Sequence, residues 1–157
     1  MGFSCPARQG ITKLLLSDVS AFTLWPGKGE VNAEIQGDRV VLIVDDDQAI
    51  REALALALEG DDYPTALAAD GADALNWLHR HTPPCLILLD LMMPVMDGWE
   101  LLDNLHRDAR LARIPVVVTT AFNRELGRAA RLPLLRKPIE LQALLDVVNR
   151  QGCARVS

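Results

Sequence analysis

Aspartates stand at the ends of two apolar runs that lie far apart in the chain. Val40-Val41-Leu42-Ile43-Val44 runs straight into Asp45-Asp46-Asp47, and Cys85-Leu86-Ile87-Leu88-Leu89 runs into Asp90. Continuous β-branched and leucine runs of this length read as strands buried on both faces, the mark of a parallel sheet. Such sheets bind ligands at the carboxyl ends of their strands, so Asp45, Asp46 and Asp90 can meet in one pocket. At ~5 Å and an effective dielectric of ~20, each pair of like charges repels by roughly 3 kcal/mol. A fold tolerates that when a cation sits between the charges or one carboxyl keeps its proton. Magnesium suits such a pocket, since it takes one or two carboxylates, keeps several waters and leaves room for a phosphate oxygen.

Two more runs end in complementary groups. Thr120 follows Val116-Val117-Val118-Thr119, and Lys137 follows Leu134-Leu135-Arg136. Taken singly, a strand-end threonine or lysine is usually structural or solvated. A hydroxyl and an ammonium opposite a magnesium–carboxylate cluster are what a phosphoryl group in transfer requires on its equatorial oxygens. Asp90 is then the natural nucleophile, because a carboxylate accepts a phosphoryl group as an acyl phosphate. Asp47 and the Asp97-Gly98 pair have plainer readings, as a helix N-cap and as a turn that opens a helix.

The periodicity says which elements must hold these groups. Strands are expected over 40–44, 64–69, 85–89, 116–119 and 134–135, and helices over 48–59, 72–81, 98–107, 123–130 and 138–148. Pro138 opens the last helix, proline being well suited to a first turn, and Leu141, Leu144, Leu145 and Val148 form its inward stripe. This alternation is an α/β fold, a three-layer sandwich of a five-stranded parallel sheet with helices on both faces. Residues 1–38 stand apart, broken by Pro6, Pro26-Gly27-Lys28-Gly29 and Gly37, with only weak helical spacing from Ile11 to Phe22. They read as a flexible extension ahead of a domain over 39–151, with 152–157 as a short tail.

Bulk properties exclude several classes. The chain has 157 residues, 50% of them hydrophobic and 24% charged, which rules out disorder throughout. A net charge of −5 offers no basic face for nucleic acid. No apolar stretch approaches the roughly 20 residues of a membrane span, and Ser17-Asp18 cuts off Leu14-Leu15-Leu16 too soon for a signal peptide. Cys5, Cys85 and Cys153 are odd in number and lack metal-type spacing. Cys85, at the head of a buried run, reads as a small core residue, and a reducing cytoplasm is the expected compartment. His79, His81 and His106 fall away from the pocket and read as surface residues.

From about residue 39 to 151 the chain resembles the receiver domain of two-component response regulators. The matching stretches are Val41-Leu-Ile-Val-Asp-Asp-Asp47, Leu86-Ile-Leu-Leu-Asp-Leu-Met-Met-Pro-Val-Met-Asp-Gly98, Pro115-Val-Val-Val-Thr-Thr-Ala121 and Arg136-Lys-Pro138, in order and in register. The resemblance implies a flavodoxin-like sheet of strand order 2-1-3-4-5. It implies that Asp90 is the phosphoacceptor and that Asp45 and Asp46 are the acidic pair holding Mg²⁺, Asp46 directly. Asp90 itself and the backbone carbonyl of Met92 would complete that metal site. Thr120 rather than Thr119 matches the switch hydroxyl, because the small Ala121 follows it. Lys137 would pair with the phosphoryl oxygens, and Lys137–Pro138 is a candidate cis peptide. A histidine kinase or phosphotransfer protein would be the donor, adding about −1.5 to −2 charges. Thr120 and Lys137 would then be drawn inward, shifting a two-state surface read by a downstream protein.

Two features depart from the family pattern. Leu134 stands where receivers usually carry Tyr or Phe, and Thr120 to Lys137 spans only 17 residues (137 − 120), short by somewhat more than a helical turn. The fourth helix is therefore expected to be shortened, on a face many receivers use to dimerise or to meet a target. The leading reading is a stand-alone phospho-switch, since nothing after Gln151 could form an output domain. A pseudo-receiver that only binds a partner is the alternative. A magnesium phosphohydrolase would want a second acid two residues after its nucleophile, where Met92 stands. A nucleotide-binding domain would need a glycine-rich loop after Val44. Met92 and Phe122, both bulky and apolar, are expected to keep water from an acyl phosphate on Asp90.

Overall fold

In the computed structural model, which describes residues 39–121 and 126–156, the apolar runs pair side by side into one sheet. Its strands are β1 (Val41–Val44), β2 (Thr65–Ala68), β3 (Leu86–Asp90), β4 (Val116–Thr120) and β5 (Leu134–Arg136). They lie in the order β2-β1-β3-β4-β5, every neighbouring pair parallel. The central strands β1 and β3 are buried at every position, as strands covered on both faces must be, whereas the edge strands β2 and β5 are buried only at alternate residues.

Successive residues of a strand point to opposite faces, and each face has its own helices. Val41, Ile43, Leu86, Leu88 and Val117 pack with residues of α1 (Gln48–Glu59) and α4 (Leu141–Arg150). Leu42, Val44, Ile87, Leu89 and Val118 pack with residues of α2 (Gly71–Arg80) and α3 (Gly98–Arg107). Asp47, Asp70 and Asp97 cap α1, α2 and α3, each accepting backbone N–H groups of the first turn with its carboxylate. Both Asp90 and Thr120 are final strand residues rather than the first residues of loops, so the sheet itself holds their backbone.

Four expectations need correction. The last helix opens at Leu141, not Pro138, because Glu140 accepts its first helical amide, from Leu144. Leu141 is 54% exposed and falls off the inward stripe, while Leu144 and Val148 are buried. The segment expected as a fourth helix over 123–130 holds, among the described residues, a 3₁₀ stretch over Gly127–Arg131. Only 13 residues (121–133) join β4 to β5, near the minimum for a parallel crossover, and a 3₁₀ coil covers more distance per residue than an α-helix. Cys85, finally, is not a free core thiol. It is bonded to Cys153, 68 residues away, with the two Cα atoms 5.4 Å apart, because α4 returns along the sheet and delivers Cys153 beneath the start of β3. The Lys137–Pro138 peptide is cis, as expected. Residues 1–38 and Phe122 lie outside the described residues.

Candidate functional site

The strand order reverses between β1 and β3, and the chemistry collects there, at the carboxyl edge of the sheet. Asp45, immediately past β1, is buried. Its Oδ1 accepts the Asp47 N–H at 3.0 Å, and the Arg51 guanidinium donates to its main-chain carbonyl. Asp90, at the end of β3, is also buried, and its Oδ1 accepts the Met92 N–H at 3.2 Å. Asp46 is exposed beside them. One carboxylate oxygen from each of Asp45, Asp46 and Asp90 lies within 4.8 Å of the other two.

Lys137 reaches into this cluster from the end of β5. Its Nζ donates to Asp45 Oδ2 at 2.6 Å and to Asp90 Oδ2 at 3.0 Å. Its backbone N–H donates to the Thr120 carbonyl at 2.9 Å, so β4 and the lysine are tied together. Thr119 and Thr120 are both buried, and Thr119 lies in register with Asp90. Thus all the residues singled out from the sequence converge: Asp45, Asp46, Asp90 and Lys137 through their side chains, Thr120 through its backbone. Met92 contributes its N–H, while its side chain is 62% exposed.

The electrostatics are unbalanced. With three carboxylates ionised, the lysine offsets one charge of three. Burial pushes the Asp90 carboxyl above the usual carboxylate range, although Lys137 and the Met92 N–H pull the other way. Burial also works against the charge on Lys137, but its hydrogen bonds to Asp45 and Asp90 outweigh that and hold it above the ordinary lysine value. The donor set fits a hard divalent cation: clustered oxygens, excess negative charge, and one exposed carboxylate leaving a side open to water and phosphate.

The raised Asp90 value has a consequence for stability. The folded state holds this proton more tightly than the unfolded chain, so the group's favourable contribution exists at low pH and is lost as pH rises through the raised folded value. At neutral pH the ionised, partly uncompensated Asp90 is a liability. Asp90→Asn is expected to raise the melting temperature of metal-free protein at neutral pH by a few degrees. That advantage should shrink as the pH is lowered into the acid range, and again when Mg²⁺ is added. Thermal melts of both proteins in chelator and in Mg²⁺ check it.

One residue of the site has a plain sequence reading and a stricter structural role. Gly98 opens α3, and a Cβ placed there would lie 2.5 Å from the Asp90 carbonyl oxygen and 2.7 Å from the Leu91 Cα. The helix start is pressed against the backbone of the acceptor. An Asp-Gly pair reads as a turn and helix opening, and that reading holds, but nothing local in the sequence announces the contact. The intervening loop also carries Val95 at φ 70°, 84% exposed, a left-handed conformation that β-branched residues rarely adopt.

Comparison with known proteins gives this architecture its class. A family model for the response regulator receiver domain matches residues 41–149, and the chain belongs to that family. Members of the family are phosphoacceptor switches. Among curated relatives, response regulator Rre1 of Synechocystis is 40% identical over 82 residues, 52% of this chain and 35% of that protein. Response regulator MprA of Mycobacterium leprae is 38% identical over 110 residues, 67% of this chain and 47% of that one. The chain therefore spans between about a third and a half of the length of the curated relatives it matches. Among solved structures, the chemotaxis response regulator CheY4 of Vibrio cholerae superposes with a TM-score of 0.65 at 28% identity, covering 71% of this chain and 97% of that one. The receiver domain of a signal transduction histidine kinase from Syntrophus aciditrophicus gives 0.67 at 30% identity, covering 75% and 94%.

Proposed function

We propose that this receiver accepts a phosphoryl group on Asp90 from a histidine kinase or phosphotransfer protein, and that the altered surface is then read by a protein partner. The observation that carries this reading is the Lys137 ammonium, held 2.6 Å from Asp45 and 3.0 Å from Asp90 beside a cluster of three carboxylates. In the transfer, an Asp90 carboxylate oxygen forms a bond to phosphorus while the bond from phosphorus to the donor's leaving atom breaks, and that atom takes up a proton. Asp45, Asp46 and Asp90, with the Met92 carbonyl, would hold Mg²⁺, which when bound neutralises charge on the phosphoryl oxygens. Lys137 then turns from the Asp90 carboxylate to the phosphoryl oxygens, and the Thr120 hydroxyl supplies a donor on the other side. Met92, whose N–H donates to the acceptor carboxylate, would limit the approach of water with its apolar side chain. The switching unit is the domain over 39–151, acting in the cytoplasm, where kinase and magnesium are available. Leu134 and the 3₁₀ stretch give it an output face unlike that of receivers with an aromatic switch.

The test is the intact mass of the full chain after incubation with acetyl phosphate. One phosphoryl adduct that needs Mg²⁺ and is absent in Asp90→Asn is the expected result. An adduct persisting in Asp90→Asn would move the chemistry to another residue, and no adduct together with no magnesium binding would leave only a protein-interaction role.

A further inference from the structure

We infer that the Cys85–Cys153 bond is a reversible latch on the C-terminal strap, opened by a dithiol reductant, and that it decides whether the strap stays docked on the corner between α1 and β2. Cys85 precedes β3 at the amino edge of the sheet, opposite the phosphoacceptor edge, and its N–H donates to the Val40 carbonyl at 2.9 Å. Cys153 lies three residues past α4 and is buried, whereas Cys85 is only half-buried. Beyond Cys153 the chain turns back over the corner. The Val156 N–H donates to the Asp62 carbonyl at 2.8 Å. The Arg155 guanidinium pairs with Asp61 at 2.7 Å, donates from Nε to the Tyr63 hydroxyl at 3.2 Å and lies 5.4 Å from the centre of that ring. Tyr63, itself buried, donates its hydroxyl hydrogen to Asn149 of α4.

The strap is thus held against Tyr63 and the Asp61-Asp62 turn by contacts that are individually weak. The Arg155–Asp61 pair is half-exposed to solvent and screened, and these anchors all lie within three residues of the covalent one. Whether the strap stays down is therefore decided by the disulfide. Disulfides in a reducing compartment are usually transient, and Cys85 is the less buried of the two cysteines, the better point of attack for a thiolate. Attack there forms a mixed disulfide and releases Cys153 as a thiolate, which takes up a proton. The second thiol of the reductant then displaces Cys85, so two electrons and two protons pass from the dithiol to the protein and the reductant leaves as a disulfide. The freed strap takes the Arg155 guanidinium away from Tyr63 and Asp61.

The full chain carrying Cys5→Ser leaves only this pair and is the protein to use. After denaturation, alkylation should add no label to the air-oxidised form and two to the form treated with dithiothreitol. Hydrogen exchange at the Val156 amide should speed at least tenfold on reduction, with near-UV dichroism and exchange across β3 unchanged. Oxidised Arg155→Ala should keep the strap protected, since the latch is intact. Two labels without reductant, unchanged strap exchange, loss of protection in oxidised Arg155→Ala, or collapse of the β3 protection on reduction would each overturn the inference. The last result would make the bond a permanent staple. Phosphorylation of the same samples, read in parallel, keeps a failure of the Asp90 chemistry separate from a failure of the latch.

Discussion

Lys137→Met is expected to slow phosphorylation of Asp90 by about 10²–10³-fold, the usual cost of removing one donor from a developing oxyanion. It should also destabilise the metal-free protein. The lysine side chain is 15% exposed and its partners Asp45 and Asp90 are 2% and 10% exposed, so methionine leaves two buried carboxylates facing each other without a cation. Breaking a buried pair from one side costs about 3 kcal/mol, which for a domain of this size lowers the melting temperature by on the order of 10 °C. Magnesium should return much of that stability while leaving the rate low, because the cation answers the carboxylates but does not replace the ammonium at the phosphoryl oxygens. Adding Asp90→Asn should likewise recover stability. Calorimetry with and without chelator, beside single-turnover adduct formation, separates the two effects. Unchanged stability in chelator would mean that the lysine is not the counter-charge of this cluster.

Gly98→Ala should be nearly as damaging without touching any charged group. The new methyl carbon would meet the Asp90 carbonyl oxygen at 2.5 Å and the Leu91 Cα at 2.7 Å, and neither atom is the end of a flexible side chain. β3 is paired on both sides and cannot retreat, so α3 must lift, loosening Leu101, Leu102 and Leu105 from the core. The Gly98 N–H bond to the Leu91 carbonyl, now 3.1 Å, lengthens with it. Overpacking of this kind costs about 1–3 kcal/mol. The Asp90–Leu91 peptide also tilts, moving the acceptor relative to Lys137, and since misplacement by ~1 Å can cost ~10²-fold, a tenfold or greater fall in phosphorylation rate is expected. Melting temperature and adduct rate, measured together, check it; a normal rate in a destabilised protein would show that the contact serves packing alone.

The charged half of the site was legible in the sequence because strand ends carry their own signal. An apolar run that stops at an aspartate places the carboxylate at the sheet edge, and a parallel sheet gathers such edges, so Asp45 and Asp90 could be located from hydropathy, while Thr120 and Lys137 gained meaning only beside them and from the family resemblance. The N-cap at Asp47 and the helix opening at Asp97-Gly98 were legible for the same local reason. What escaped depends on contacts between distant elements. The demand for glycine at 98 comes from how closely α3 lies on β3, and the pairing of Cys85 with Cys153 from where α4 ends. Leu141 has the spacing of a core residue but sits at the open end of its helix. Val95 occupies a left-handed conformation that its own side chain disfavours, so the surrounding fold, not the local sequence, must impose it.

The bond between Cys85 and Cys153 also closes part of the chain into a ring. With 68 residues separating the two cysteines, roughly 230 Å of extended chain at ~3.4 Å per residue is withheld when the oxidised protein is stretched from its ends. Asp90, Thr120 and Lys137 all lie within that ring, while Asp45 and Asp46, just past β1, lie ahead of it. A tether or a threading unfoldase pulling from the N-terminus would strip away the acidic pair first. The acceptor, the hydroxyl and the lysine would stay on one mechanically shielded loop until a reductant opened it.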